Sequence, residues 1–456
     1  MDAKGGGAHG GRGDSALILP AECEKDTPPH RLPTTPRSSP RPAPSPLPEP
    51  QRHQLSNGVP LVQLDLPEAP LVCLDFWCRA GSASESASES GMAHFLEHMV
   101  FKGSAQLPAG EFDRRIEALG GSSNAATGFD DVHFHVLIPP EAATQALELL
   151  LDLVLRPRLD PDDFAMERQV VLEELAQSED QPEEVAFQEL LRLACPQHAY
   201  GLPILGRREA LEAHHPEAMA AFHRRHYRAD RCCLTMAGPL SRLDLPSRLQ
   251  DSALAELAAA EGPAAITPLQ LSPGSTTLEL PRLEAARLLM AWRLPGAADQ
   301  DSVVGGDLLT TLLAEGRRSR LVERLREQLR LVESIDLDLN VLEAGCLVLL
   351  EAVCEPEQLQ AVEREVKQVL QELLAQPPSA AELERARRLV GNGYRFSLEA
   401  PGSVAAMVGN SALWGRQHNL EAPLAWLQTW DAQRLHEQLS GLLDPARSFS
   451  LRAVPS

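Results

Sequence analysis

The chain has 456 residues, 43% of them hydrophobic and 23% charged, with a formal net charge of −22. That length suffices for roughly two to three domains, and nothing basic and clustered in the folded region suits nucleic acid as a partner. No apolar run is long enough to span a membrane, and the eight cysteines lack metal-ligand or disulfide-framework spacing, so they read as reduced core thiols of a cytoplasmic protein.

Residues 1–51 stand apart, with glycine runs at the start and ten prolines between Pro28 and Pro50. Such a stretch cannot bury enough apolar surface to offset chain entropy, and a disordered, dispensable extension is expected. It does not read as a targeting peptide. The apolar run Ala16–Leu19 is too short, and Asp14, Glu22, Glu24 and Asp26 are out of place in an acid-poor transit sequence. Folded sequence is expected from Arg52, with strand-like runs at Val59–Leu66 and Leu71–Arg79.

A helix should follow, and it carries His94-Phe-Leu-Glu97-His98. Residues four apart share a helix face, so His94 and His98 can bring imidazole nitrogens to one ion, with Glu97 close enough to reach a water there. H-x-x-E-H is the zincin motif with its order reversed. Gly120-Gly-Ser-Ser is a turn signal, and the alternating run His133–Ile138 beyond it reads as a strand.

A catalytic zinc takes three protein ligands and keeps one position open, so a third ligand must come from elsewhere. The best source is the helix predicted after Asp160, an N-cap with Pro161 as first helical residue. Glu167 and Glu174 lie two turns apart on one face of it, while Glu173 points about a third of the way round. Carboxylates in an apolar stripe are costly to bury unless something compensates them. A metal would do so, but a solvated acidic face fits the spacing equally well.

These residues resemble the pitrilysin family of zinc peptidases, which includes insulysin and the mitochondrial processing peptidase, and in particular its processing-peptidase-like bacterial members. The likeness spans roughly residues 52 to 240, through Ala80-Gly-Ser82, His94–His98, Phe101–Ser104, Gly120–Thr127, Glu167–Glu174, Tyr200–Gly206 and Phe222–Tyr227. It implies zinc, one ion per chain, held by His94, His98 and Glu174 rather than Glu173. It implies Glu97 as general base and Glu167 as a carboxylate orienting a ligand. Asn124 and Ala125 would lie on the edge strand that receives peptide substrate.

After residue 240, Leu254–Ala265 reads as a helix running into a linker. Strands return at Ser275–Leu280 and Ala286–Leu294, and a helix at Ser302–Leu313. Strand, strand, helix thus occurs twice, about 215 residues apart. The fold expected is α+β: two similar halves, each an antiparallel sheet with helices on one face, enclosing a cleft. The expected domains are 52–262, with the metal, and 275–456, without it, joined by a linker at 263–274. Ser302–Leu313 has no histidine, which leaves one metal site per chain.

In the family, a second-half segment supplies an Arg and, seven residues later, a Tyr to the cleft. Arg326 holds the first position for substrate binding, but Glu333 holds the second. A carboxylate cannot donate a hydrogen bond at neutral pH unless its pKa is strongly raised. The function expected is a zinc endopeptidase acting on peptides or unfolded segments, working as a homodimer or beside a related metal-free chain that supplies the donor. The alternative is a weakly active or non-catalytic peptide-binding subunit. Solubility and attraction of basic peptides both account for the net charge.

Overall fold

The computed structural model describes residues 48–241, 243, 248–258, 262 and 266–456. The expected N-terminal disorder falls outside them up to residue 47, and order begins at or before strand β1 (Gln51–Gln54). The first half continues with β2 (Pro60–Asp65), β3 (Val72–Cys78), α1 (Met92–Val100), α2 (Glu111–Ala118), β4 (Ser122–Thr127) and β5 (Val132–Ile138). Then come α3 (Ala143–Leu155), α4 (Pro161–Asp180), α5 (Pro182–Ala194), α6 (Arg208–Ala213), α7 (Pro216–His226) and β6 (Cys232–Gly238). The second half comprises β7 (Gly274–Leu280), β8 (Ala286–Leu294), α8 (Gln300–Ala314), β9 (Ser334–Asn340) and β10 (Cys346–Cys354). It ends with α9 (Leu359–Ala375), α10 (Ala380–Ser397), α11 (Pro401–Leu413), two short helices (Ala422–Thr429 and Ala432–Gln438) and β11 (Phe449–Pro455). The helix expected at 254–265 is a short 3₁₀ turn, Ala253–Glu256, and part of that segment lies outside the described residues.

The internal repeat is real at the level of topology. One sheet runs β1-β2-β6-β3-β5-β4 and the other β7-β11-β8-β10-β9, so β2 through β6 correspond in order to β7 through β11. The sequence suggests purely antiparallel sheets, but each sheet contains one parallel pair. The last strand of each half inserts between two earlier ones: β6 runs parallel to β2 and antiparallel to β3, and β11 parallel to β7 and antiparallel to β8. Hydrophobic alternation sees which face a residue occupies but not strand direction, so this was not legible.

Nor are helices confined to one face. Leu74 and Phe76 of β3 face the core built with α1 and α3, whereas Cys73 on the other face meets Val404, Ala405 and Val408 of α11, a second-half helix. Reciprocally, Ala186, Leu190 and Leu191 of α5 cover Leu289 and Ala291 of β8, whose alternate residues Leu288 and Met290 face the second core. Each half thus lends the other a helix, and both begin with proline at the first turn after a longer helix. Gly409 lets α11 approach closely: a Cβ there would lie 2.4 Å from Trp77 Nε1 and 2.6 Å from Thr235 Oγ1.

The β4–β5 turn fastens the halves further. Asp130 accepts from Tyr200 Oη at 2.6 Å and from the Glu343 amide at 2.9 Å. Asp131 accepts from Asn410 Nδ2 at 3.1 Å and Trp414 Nε1 at 3.2 Å.

Candidate functional site

Helix α1 starts at Gly91, whose φ of +83° is the left-handed conformation that favours glycine. Its first turn is capped from outside: Glu85 accepts from the amides of Gly91 at 2.9 Å and Ala93 at 2.8 Å, which satisfies helix-start donors, while burial pushes its own pKa up to about 8. Gly206, from the Tyr200–Gly206 motif, packs against this start so tightly that a Cβ would fall 2.5 Å from Gly91 Cα. Phe95, Leu96, Met99 and Val100 are buried in the core, which turns His94, Glu97 and His98 toward α4 and β4.

Helix α4 is capped as the sequence indicated, the Asp160 carboxylate accepting from the amides of Asp162 and Asp163. It brings Glu174 Oε2 to 3.8 Å from His94 Nε2 and 3.4 Å from His98 Nε2. These three residues place ligand atoms within 4.8 Å of one another. Glu173 is exposed on another face. Glu167, only 6% exposed, accepts from His98 Nδ1 at 2.9 Å and pairs through its other oxygen with Lys102 Nζ at 2.6 Å. Glu97 accepts a short hydrogen bond from Thr127 Oγ1 at the end of β4.

The two imidazoles are electrostatically unlike. Burial, and secondarily the neighbouring His98, pull the pKa of His94 down to about 4. Burial opposes the charge on His98 too, but hydrogen bonds to Glu167 and Glu174 outweigh it and push its pKa up to about 9. Burial raises the pKa of Glu97, against the opposing Thr127 hydrogen bond and the nearby His98 and His133. That of Glu174 is lowered, first by its bond with His98. A carboxyl raised toward neutrality beside carboxylates held ionised is the division that acid–base chemistry needs.

The donor set suits zinc: two imidazole nitrogens and one carboxylate oxygen converge, the outer nitrogen of His98 is held by a buried carboxylate, and no fourth side-chain ligand closes the group among the described residues. Against this geometry, two family models match in tandem. Insulinase (peptidase family M16) covers residues 62–208, and the peptidase M16 inactive domain covers 215–390. The chain belongs to the M16 insulinase family. Curated relatives include a protein named as an uncharacterized zinc protease of Mycobacterium leprae, 26% identical over 86% of this chain and 89% of its own length. Another so named, from Bacillus subtilis, is 25% identical over 85% of this chain and 94% of its own length. Among solved structures, a protease from Helicobacter pylori superposes with a TM-score of 0.83 at 22% identity, covering 90% of this chain and 100% of that one. A Pseudomonas fluorescens M16 inactive-domain structure gives 0.82 at 19% identity, covering 89% of this chain and 98% of that one.

The remaining expected site residues lie elsewhere. Asn124 and Ala125 sit on β4, an edge strand paired on one side to β5. The Asn124 side-chain oxygen accepts from the Ala125 amide at 2.9 Å. Arg326 lies in a π-helical segment, Val322–Gln328, and bonds to Glu327 at 2.9 Å. Glu333 is exposed just before β9. Thr127 and Lys102 join the site without standing out in the sequence, although both fall within the family-like stretches Gly120–Thr127 and Phe101–Ser104. Nor does a second group able to hold a metal, Asp75 with His133 and His135, because two strands far apart in sequence contribute it.

Proposed function

We propose that the chain is a zinc endopeptidase in which His94, His98 and Glu174 hold one catalytic ion. The observation that carries this reading is the convergence of both Nε2 atoms on Glu174 Oε2 with Glu97 alongside, anchored by Thr127. When bound, zinc supplies the Lewis acidity for hydrolysing a peptide bond. Glu97 takes a proton from the attacking water and passes it to the leaving amine, and its raised pKa brings it nearer the pH at which it must do both. Glu167 fixes the His98 ring by accepting from Nδ1, leaving Nε2 free for the ion. Substrate adds to the free edge of β4 in extended form, displacing the Asn124 oxygen from the Ala125 amide. Arg326 contributes from the second half as a donor to substrate backbone. The test is Glu97→Gln: it should keep zinc and fold yet lose nearly all hydrolysis of a quenched basic peptide library. Comparable turnover in variant and parent would remove Glu97 from the mechanism.

One observation favours a dependent subunit. The chain has three tyrosines. Tyr200 donates to Asp130, Tyr394 donates to the Leu420 carbonyl, and Tyr227 is buried in the first core. No phenol stands seven residues after Arg326. In this reading a related metal-free chain supplies the donor, and adding it should raise the rate by about 100- to 1000-fold. Full activity of the isolated chain, unaffected by such a companion, would end this version.

A further inference from the structure

The group Asp75, His133 and His135 lies on the opposite face of the first sheet from Glu97. Val132, Phe134 and Val136 of β5 point into the core beneath α1, so the alternate residues His133 and His135 point the other way. Asp75 stands directly across the ladder from His135, with Trp77 across from His133. The three residues place one ligand atom each within 4.8 Å of one another. Asp75 Oδ1 and His133 Nδ1 are 3.1 Å apart, and the two imidazoles stack with centroids 5.5 Å apart and planes 20° from parallel.

A structural hydrogen bond explains only part of this arrangement. Asp75 is 1% exposed, and a carboxylate that deep is costly unless compensated. His133 is partnered by Asp75 and stacked on the Trp77 ring at 4.2 Å, which fixes its plane. His135 is not so explained: its Nδ1 is buried without a hydrogen-bond partner among the described residues. Buried orphan nitrogens are uncommon and call for an occupant. Two imidazoles and a carboxylate are the donor set of first-row divalent metals, whose ligand atoms sit about 3.4 Å apart around a tetrahedral ion with bonds near 2.1 Å. Asp75 and His133 are already near that separation, and side-chain rotation of His135 can close the rest.

We propose that Asp75, His133 and His135 form a second divalent-metal site, of zinc type, separate from the catalytic ion. It lies beside the edge strand, because Asn124 and Ala126 of β4 pair with His135 and His133 respectively. An ion there ties β3 to β5 and, through β5, stiffens the strand offered to substrate. The site needs no peptidase activity to be detected.

The experiment uses the full chain, equilibrated with zinc, dialysed against metal-free buffer and analysed for zinc per folded chain. The parent should hold two equivalents, His94→Ala/His98→Ala one, His133→Ala/His135→Ala one, and the fourfold variant none. In the variant lacking His94 and His98, added zinc should still raise the unfolding temperature, since an ion that binds only the native state stabilises it. Loss of all zinc from that variant, or a parent that holds one equivalent, overturns the proposal. Should His133→Ala/His135→Ala fail to fold, His135→Gln serves: it should weaken the second equivalent at least tenfold, and unchanged affinity would overturn the assignment.

Discussion

Glu167→Gln isolates the contribution of a carboxylate that, in the proposed zinc site, stands behind a ligand without being one. In the parent, Oε1 lies 2.9 Å from His98 Nδ1 and Oε2 lies 2.6 Å from Lys102 Nζ, and the residue is 6% exposed. The amide can still accept from Nδ1, but it brings no charge, and its NH2 then faces the Lys102 ammonium, donor against donor. Removing such a partner behind a metal-binding histidine costs about 10- to 100-fold in metal affinity, or roughly 1.4 to 2.7 kcal/mol. The lost pair with Lys102 matters less to stability, because that side chain is 36% exposed and solvent screens it. Zinc affinity is read by competition with a chromophoric chelator, with circular dichroism to confirm folding and Glu173→Gln as the exposed control. Unchanged affinity in folded Glu167→Gln, or an equal loss in the control, would show that Glu167 does not support the metal through His98.

The ligand assignment predicts that Glu174→Gln strongly lowers zinc content while Glu173→Gln leaves it nearly intact; elemental analysis of both would show at once if the carboxylates were reversed. Thr127→Val removes the hydroxyl that stabilises the Glu97 carboxylate, so the acidic limb of kcat/KM should move to higher pH, and a pH–rate profile with that limb unmoved would separate Thr127 from the base. Asp131 is raised to about 6, chiefly by burial and against its Trp414 hydrogen bond. Because its folded pKa exceeds its unfolded one, its contribution is fully present below about pH 4 and is lost as pH rises through 6, by about 3 kcal/mol at most. Asp131→Asn, which keeps an acceptor for Trp414, should therefore be more stable than the parent at pH 7, with the advantage vanishing by pH 4. Denaturant midpoints across that range would test it, and a less stable variant at neutral pH would count against it.

The local signals in this sequence carried far. Asp160 and Pro161 announced the start of α4, and the four-residue spacing of His94 and His98 announced their common face. The choice between Glu173 and Glu174 needed family likeness, because helix geometry alone left both open; in the fold, Glu173 is exposed and Glu174 faces both imidazoles. What stayed hidden was long-range. The parallel pairing of each half's inserted last strand, and the exchange of α5 and α11 between halves, depend on which surfaces meet, and each helix's own pattern records only that one side is apolar. The Asp75, His133 and His135 group was hidden for the same reason: the H-x-H of β5 shows only that two histidines share a face, and their acidic neighbour comes from β3.

In the proposed mechanism a metal bound on α1 and α4 drives peptide hydrolysis. The most direct test is cleavage of quenched peptides by purified full-length chain, measured as isolated, after chelation, and after zinc is returned, with the related metal-free chain present in a parallel series. Cleavage that chelation abolishes and zinc restores is expected, in one series or both. Cleavage that persists unchanged once the chain is shown to be zinc-free would contradict the mechanism.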